Sequence, residues 1–219
     1  RYLNREARFY NTVFFNGRQW PVTCKQVQFY NGGNAGVQEG QATTTGYMLF
    51  KRFNRSISKT SPGVASQNRP SIIFRLADFY LIYAEVANEV NPSDSRVLTY
   101  LNLVRERAGL PKVEILNPGI VGNKELQRAA IQRERQIELA TEGQRYFDVR
   151  RWMIADKDGE GRQNGYAHGM NVRGTINDTE EFNRVVETEK IVFNRKMYLQ
   201  PIPDHEMRKT QNLVQNPGW

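Results

Sequence analysis

Apolar positions recur at helical spacing through the middle of this 219-residue chain and lose that rhythm on either side. Leu76, Phe79, Tyr80, Tyr83, Ala84, Ala87 and Val90 follow the i, i+3, i+4 pattern of a helix with a wide apolar face. Asn91-Pro92-Ser93 ends it, and Ser93 or Asp94 stands ready to cap the next helix. That second helix carries Val97, Leu98, Leu101, Val104 and Ala108; Gly109 supplies a left-handed stop and Pro111 follows. So short a connection makes the two helices antiparallel neighbours, a hairpin close in length to a helix-turn-helix repeat of about 34 residues. One such pair cannot bury both of its sides, so it must stack on further helices. A helix from Lys124 supplies one neighbour.

The stretch Asn123 to Trp152 packs four glutamates and six arginines into that helix and its continuation. Leu126, Ala130, Ile137 and Thr141 mark one face, and Gly143 sits where the helix should stop. Glu134 falls on the same face, and Glu138 and Glu142 follow at four-residue steps. A carboxylate on an apolar stripe is costly unless paired, by several kcal/mol per ion in rough terms. A structural ion pair with one of the many arginines is therefore predicted. The pair Glu134 and Glu138 also has about the spacing of two glycosidase acids, roughly 5 to 9.5 Å. Acids set among Arg133, Arg135 and Arg145 would be held charged and make poor proton donors, so the ion-pair reading is the stronger.

The flanks read differently. Residues 1–68 are rich in Gly, Asn, Thr and Gln. Phe9, Tyr10, Val13, Phe14 and Phe15 form an aromatic cluster closed by an Asn16-Gly17 turn. Trp20-Pro21-Val22 reads as extended, and Tyr47 to Phe53 is the best strand candidate. The loop Asn31 to Gly36 lacks the spacing and flanking elements of a phosphate cradle. Residues 153–219 are irregular, with a short helix around Glu180 to Glu187, extended pieces at Val192-Phe193 and Met197 to Leu199, and a last turn capped by Asp204. The architecture expected is mainly α: a helical core over 69–152, a loop-rich segment with short strands before it, and an irregular segment after it. All of it belongs to one domain, 1–219.

The charge balance, net +8 with a pI near 9.7, permits anionic partners. However, Lys and Arg are spread along the chain without runs, so a generally basic surface is expected rather than a nucleic-acid face. Cys24 is the single cysteine, which excludes an intrachain disulfide. No stretch approaches the roughly 18 apolar residues of a membrane-spanning helix. His168 and His205 have no metal-ligand spacing. Asp156-Lys157-Asp158-Gly159-Glu160-Gly161 begins like a calcium loop, but Ala167 stands where a bidentate Glu is required, which favours a solvated acidic turn. Calcium is the only cofactor the sequence suggests, and it suggests it by half a motif.

Aromatic rings among amide side chains are the more useful clue. Trp20, Phe29, Tyr30 and Tyr47 sit among Asn, Gln, Thr and Gly. The apolar face of a pyranose stacks on a ring while amides bond its hydroxyls, as in concave sites with a few placed polar groups. Trp20, Tyr30 and Tyr47 are the candidate ligand-binding residues. The rival reading is that these rings fill a core beneath long loops.

Five stretches together resemble one family. Arg75-Leu76-Ala77-Asp78-Phe79-Tyr80-Leu81-Ile82-Tyr83-Ala84-Glu85 resembles the R-x-A-E-x-x-L-x-Y-A-E helix of SusD/RagB-type outer-membrane nutrient-binding lipoproteins, with Asp78 where Glu is usual. Asn102 to Leu110 is similar to that family's N-x-V-R-x-R-A-G-L. Glu134 to Leu139, followed by Glu142 to Trp152, is similar to its E-R-x-x-E-L-x-x-E-G-x-R-x-x-D-L-R-R-W. Tyr198 to Glu206 and Gln215 to Trp219 resemble its closing Y-x-x-P-I-P-x-x-E and Q-N-P-G-Y, and Thr45-Gly46-Tyr47 with Lys51-Arg52-Phe53 resembles a T-G-Y…K-F element.

The resemblance implies a SusD-like α-α superhelix of TPR-like hairpins. It also implies that this is the C-terminal part of a longer lipoprotein whose anchor, and only contact with the membrane, lies outside this chain; Cys24 is not in a lipobox context. The implied role is non-enzymatic: binding a glycan, or in some branches a peptide, at the extracellular face of the outer membrane for a SusC-like TonB-dependent transporter. The motif residues are implied to be fold signatures, with ligand contacts varying by ligand. A helical-repeat scaffold that binds only protein and a glycoside hydrolase are the competing expectations.

Overall fold

The computed structural model describes residues 2–20, 25–36, 43–51, 53, 71–157, 164–175 and 179–219. Cys24, Arg52 and most of the calcium-like turn lie outside them. Among the described residues the elements run α1 (Ala7–Thr12), β1 (Val13–Phe15), β2 (Tyr47–Leu49), α2 (Leu76–Val90), α3 (Arg96–Arg107), α4 (Val113–Leu116), α5 (Lys124–Glu138), α6 (Gln144–Arg151), β3 (Gly165–Met170), α7 (Thr179–Asn183), β4 (Val185–Ile191) and α8 (Asp204–Met207). The mainly α architecture with short strands is as expected.

α2 and α3 form the hairpin, and α5 packs across both. Leu81, Ala84, Val97, Leu101, Val104, Ile120 and Ile131 make its core. Asp94 does the capping, accepting the Arg96 backbone N–H at 2.9 Å. At the far end of α3, Gly109 takes φ +75°. Its N–H donates to the Glu106 carbonyl and that of Leu110 to the Arg105 carbonyl, the paired bonds of a Schellman stop. Asn123 caps α5 by accepting from the Leu126 N–H.

Two helices bury a face one residue out of phase with the expected one. α2 buries Ala77, Asp78, Leu81, Ala84 and Asn88. Leu76, Phe79, Tyr83 and Val90, assigned to the core from the sequence, are exposed, Val90 at 81%. α5 buries Gln127, Ile131, Glu134, Arg135 and Glu138, not Leu126 or Thr141. The reason is that polar side chains with internal partners go inside. The Asn88 amide donates to the Lys124 carbonyl and the Gln127 amide to the Pro92 carbonyl, splicing α2 to α5.

α5 also stops at Glu138, short of the expected Gly143, which instead precedes α6 with φ +89°. Thr141 takes φ +66° in the turn between, a conformation disfavoured for a β-branched residue. The free carbonyls at this helix end are taken up by cations. Lys51 Nζ donates to the Glu138 and Ala140 oxygens at 2.9 and 3.1 Å, and Arg75 Nη2 to Glu138 at 2.7 Å.

β1 and β2 pair antiparallel, Phe15 opposite Tyr47. β2 is three residues long, shorter than the stretch Tyr47–Phe53 suggests. Phe14, Phe29, Tyr30 and Phe50, with Met170 and Phe182 from the C-terminal segment, form a second, aromatic core. The third core joins Val149, Ala155 and Phe193. β3 and β4 form a hairpin in a region that reads as loop, so the expected helix over Glu180 to Glu187 gives way to strand from Val185.

Candidate functional site

Four of the five resembling stretches meet in two chains of alternating charge. In the first, Arg135 Nη1 donates to Asp78 at 2.9 Å, and Arg135 Nε and Nη2 reach Asp148 at 3.1 Å; all three residues are buried. Arg151 joins Asp148, at 2.8 Å, to Glu85, whose carboxylate also accepts the Trp152 indole N–H at 2.6 Å. In the second, Glu134, 3% exposed, accepts from Arg8 and from Arg105, the latter at 3.1 Å. Glu138 takes Arg8 at 3.0 Å, Arg75 at 2.7 Å, and Arg107. Glu142 takes Arg75 at 2.6 Å and Lys51 at 2.5 Å. The ion-pair reading of Glu134 is right, and its partners come from α1 and α3 rather than from the neighbouring arginines of its own helix.

The electrostatics follow. Burial alone would raise the Glu138 and Glu142 carboxyls, yet hydrogen bonds from Arg75, with Arg8 on the first and Lys51 on the second, outweigh it and hold both below the ordinary 4.5. A carboxyl so held does not donate a proton near neutrality. These acids offer no free pair for glycoside chemistry. Among the described residues no group of three or more His, Cys, Asp or Glu is arranged around a metal position. Asp156, the first residue of the calcium-like turn, receives the Tyr198 hydroxyl at 2.5 Å, which keeps its carboxyl below the ordinary 3.8. His168 is exposed on β3, and His205 pairs with Glu206 on the surface.

The three candidate rings separate. Tyr30 is 8% exposed, with its ring edge-on to Phe182 at 6.1 Å, so it belongs to the aromatic core and offers no face for stacking. Phe29 is buried likewise. Trp20 is half-buried, edge-on to Phe14 at 5.1 Å and to Phe53 at 5.0 Å. Tyr47 is half-buried and edge-on to Tyr2 at 6.3 Å. Since Tyr47 pairs with Phe15 while Trp20 touches Phe14, and successive residues of a strand point to opposite faces, Trp20 and Tyr47 lie on opposite sides of the β1–β2 ribbon. A ring that residue patterning does not single out is Tyr166 on β3, 47% exposed with Lys190 5.6 Å from its centroid. The β-branched Val185, Val186, Thr188 and Ile191 were the available signal for β4.

Comparison with known proteins places these features. The SusD family profile matches residues 1–219. SusD-like protein P25 of Formosa agariphila is 44% identical over 106 residues, 48% of this chain and 19% of that protein. SusD-like protein P2 of the same organism is 31% identical over 153 residues, 68% of this chain and 26% of that protein. A solved SusD-like protein from Bacteroides fragilis superposes with a TM-score of 0.79 at 28% identity, covering 100% of this chain and 40% of that one. A SusD-like carbohydrate binding protein from the same species superposes with a TM-score of 0.72 at 24% identity, over 94% of this chain and 41% of that one, which shows a common fold. The chain thus spans well under half the length of these relatives.

Proposed function

The chain belongs to the SusD family, and on that premise we propose that it is part of a surface glycan-binding protein that holds its ligand without reacting with it. The observation that carries this reading is the pairing of Glu134, Glu138 and Glu142 with Arg8, Arg75, Arg105, Arg107 and Lys51. The acids that a hydrolase would need are engaged inside the fold. Trp20 and Tyr47, half-buried at the β1–β2 ribbon, are the two candidate rings left part-exposed, each a contact for the apolar face of a sugar. The solved protein of the same fold described as carbohydrate binding names the ligand class to test first.

In the whole protein, the ligand would be passed to a SusC-like TonB-dependent transporter at the extracellular face of the outer membrane, the protein being held there by a lipid. Neither metal nor organic cofactor takes part. The test is a calorimetric screen of soluble polysaccharides and of peptides. The expected result is saturable binding of a glycan, weakened about tenfold or more in Trp20→Ala or Tyr47→Ala, as for the loss of an aromatic anchor. Binding of peptides alone would replace the ligand class, and binding of neither would sink the reading.

A further inference from the structure

A lysine is one of two cations that tie the ribbon carrying the half-buried rings to the helices. The helical core and the aromatic core are distinct clusters of buried side chains. Two cations on the ribbon side reach α5: Arg8 through the Glu134 and Glu138 carboxylates, and Lys51 through the helix end itself. The Lys51 ammonium has three protons, and it has three acceptors. They are the Glu138 carbonyl at 2.9 Å, the Ala140 carbonyl at 3.1 Å and the Glu142 carboxylate at 2.5 Å.

Lys51 also occupies a telling place in the chain. It stands two residues beyond β2, inside the turn closed by the Phe53 N–H on the Phe50 carbonyl at 2.9 Å. Phe50 stacks on Phe14 at 5.4 Å and on Phe53 at 5.7 Å, and Phe53 meets Trp20 edge-on at 5.0 Å. β2 carries Tyr47. One ammonium therefore fixes, through a turn, two phenylalanines and a short strand, both rings assigned to the ligand. We propose that Lys51 is the positioning residue of the two candidate rings: seated on the end of α5 and on Glu142, it sets Trp20 and Tyr47 relative to the helical core.

This inference rests on the binding reading above, so its test has arms that do not need a ligand. The full chain and its Lys51→Met and Lys51→Arg variants are compared by amide hydrogen exchange, by acrylamide quenching of tryptophan fluorescence, and by calorimetry with a glycan from the screen. In Lys51→Met, amides of Val13–Phe15 and Tyr47–Leu49 are expected to exchange about tenfold faster, as for a local opening, while Leu101 and Ile131 keep their protection. Trp20 becomes more quenchable and the dissociation constant rises about tenfold. Lys51→Arg keeps a cation beside Glu142 but not three diverging donors, so it is expected to fall between the unmodified chain and Lys51→Met in all three.

Equal acceleration of ribbon and helix amides would reduce Lys51 to a general stabiliser and overturn the proposal, as would unchanged exchange in the ribbon. A loosened ribbon with unaltered affinity would overturn it too. Absence of glycan binding by the unmodified chain would strike the binding reading, and the exchange and quenching arms would still decide whether Lys51 holds the rings.

Discussion

Glu138 shows how this protein handles charge at the scale of one residue. Its carboxylate is buried at 3% exposure and receives Arg8, Arg75 and Arg107. Burying an ion costs several kcal/mol, and only multiple well-placed donors offset it. Removing one member leaves the others stranded. Glu134→Ala is expected to lose roughly 3 kcal/mol of stability in urea unfolding, and a loss within about 0.5 kcal/mol would refute the buried assignment. Arg135→Met is expected to cost more, roughly 3–5 kcal/mol, because it strands the buried Asp78 and leaves Asp148 with Arg151 alone. The sign of the pH dependence follows from the depressed Glu138 and Glu142 carboxyls. Their contribution is complete above the unfolded value of about 4.5 and is lost as pH falls through the lower folded values. Thermal unfolding followed from pH 7 to pH 3 should show a flat upper arm and a drop that begins below about 4.5; a drop already between pH 7 and 5 would contradict the pairing.

At the scale of elements, the existence of α2, α3 and α5 was legible from spacing, and so were the Gly109 stop and the Asp94 cap. Gly109→Ala should cost about 1 kcal/mol, since a left-handed residue with a Cβ is strained there. The rotation of the helices was not legible. Hydrophobicity puts Leu76, Phe79, Tyr83 and Val90 inside, whereas the fold buries Asp78 and Asn88 with Leu81 and Ala84. Phase assigned from apolar residues fails where paired polar residues fill the interior. The β3–β4 hairpin was hidden for another reason: β3 holds Gly165, His168 and Gly169, residues that carry no strand pattern of their own. The outward face of α2 then runs Leu76, Phe79, Tyr83, Val86 and Val90, all exposed. The flanking Asp78, Glu85 and Glu89 are turned to Arg135, Arg151 and Arg128, leaving the stripe uncharged. So large an apolar patch favours association. This chain alone should self-associate with rising concentration in sedimentation velocity, and Phe79→Ser with Val86→Asn should suppress that while costing under about 0.5 kcal/mol of stability.

For the whole molecule, family and fold were readable because the motif residues are the ones the fold uses internally: Glu85, Arg135, Asp148, Arg151 and Trp152 touch one another or a common partner, and Arg75 holds Glu138 and Glu142. The candidate site was only partly readable. Tyr30 and Trp20 look alike in sequence, and only packing tells a core ring from a half-open one. A neutral glycan held on ring faces without a metal should bind with no sensitivity to EDTA and only weak dependence on salt, unlike the steep salt dependence of a nucleic-acid binder. The most direct measurement is isothermal calorimetry of the full chain against a polysaccharide panel. The account predicts discrete, saturating injection heats that return to the original baseline and shrink in Trp20→Ala. A sustained baseline offset that signals turnover, abolished in Glu138→Gln, would contradict it.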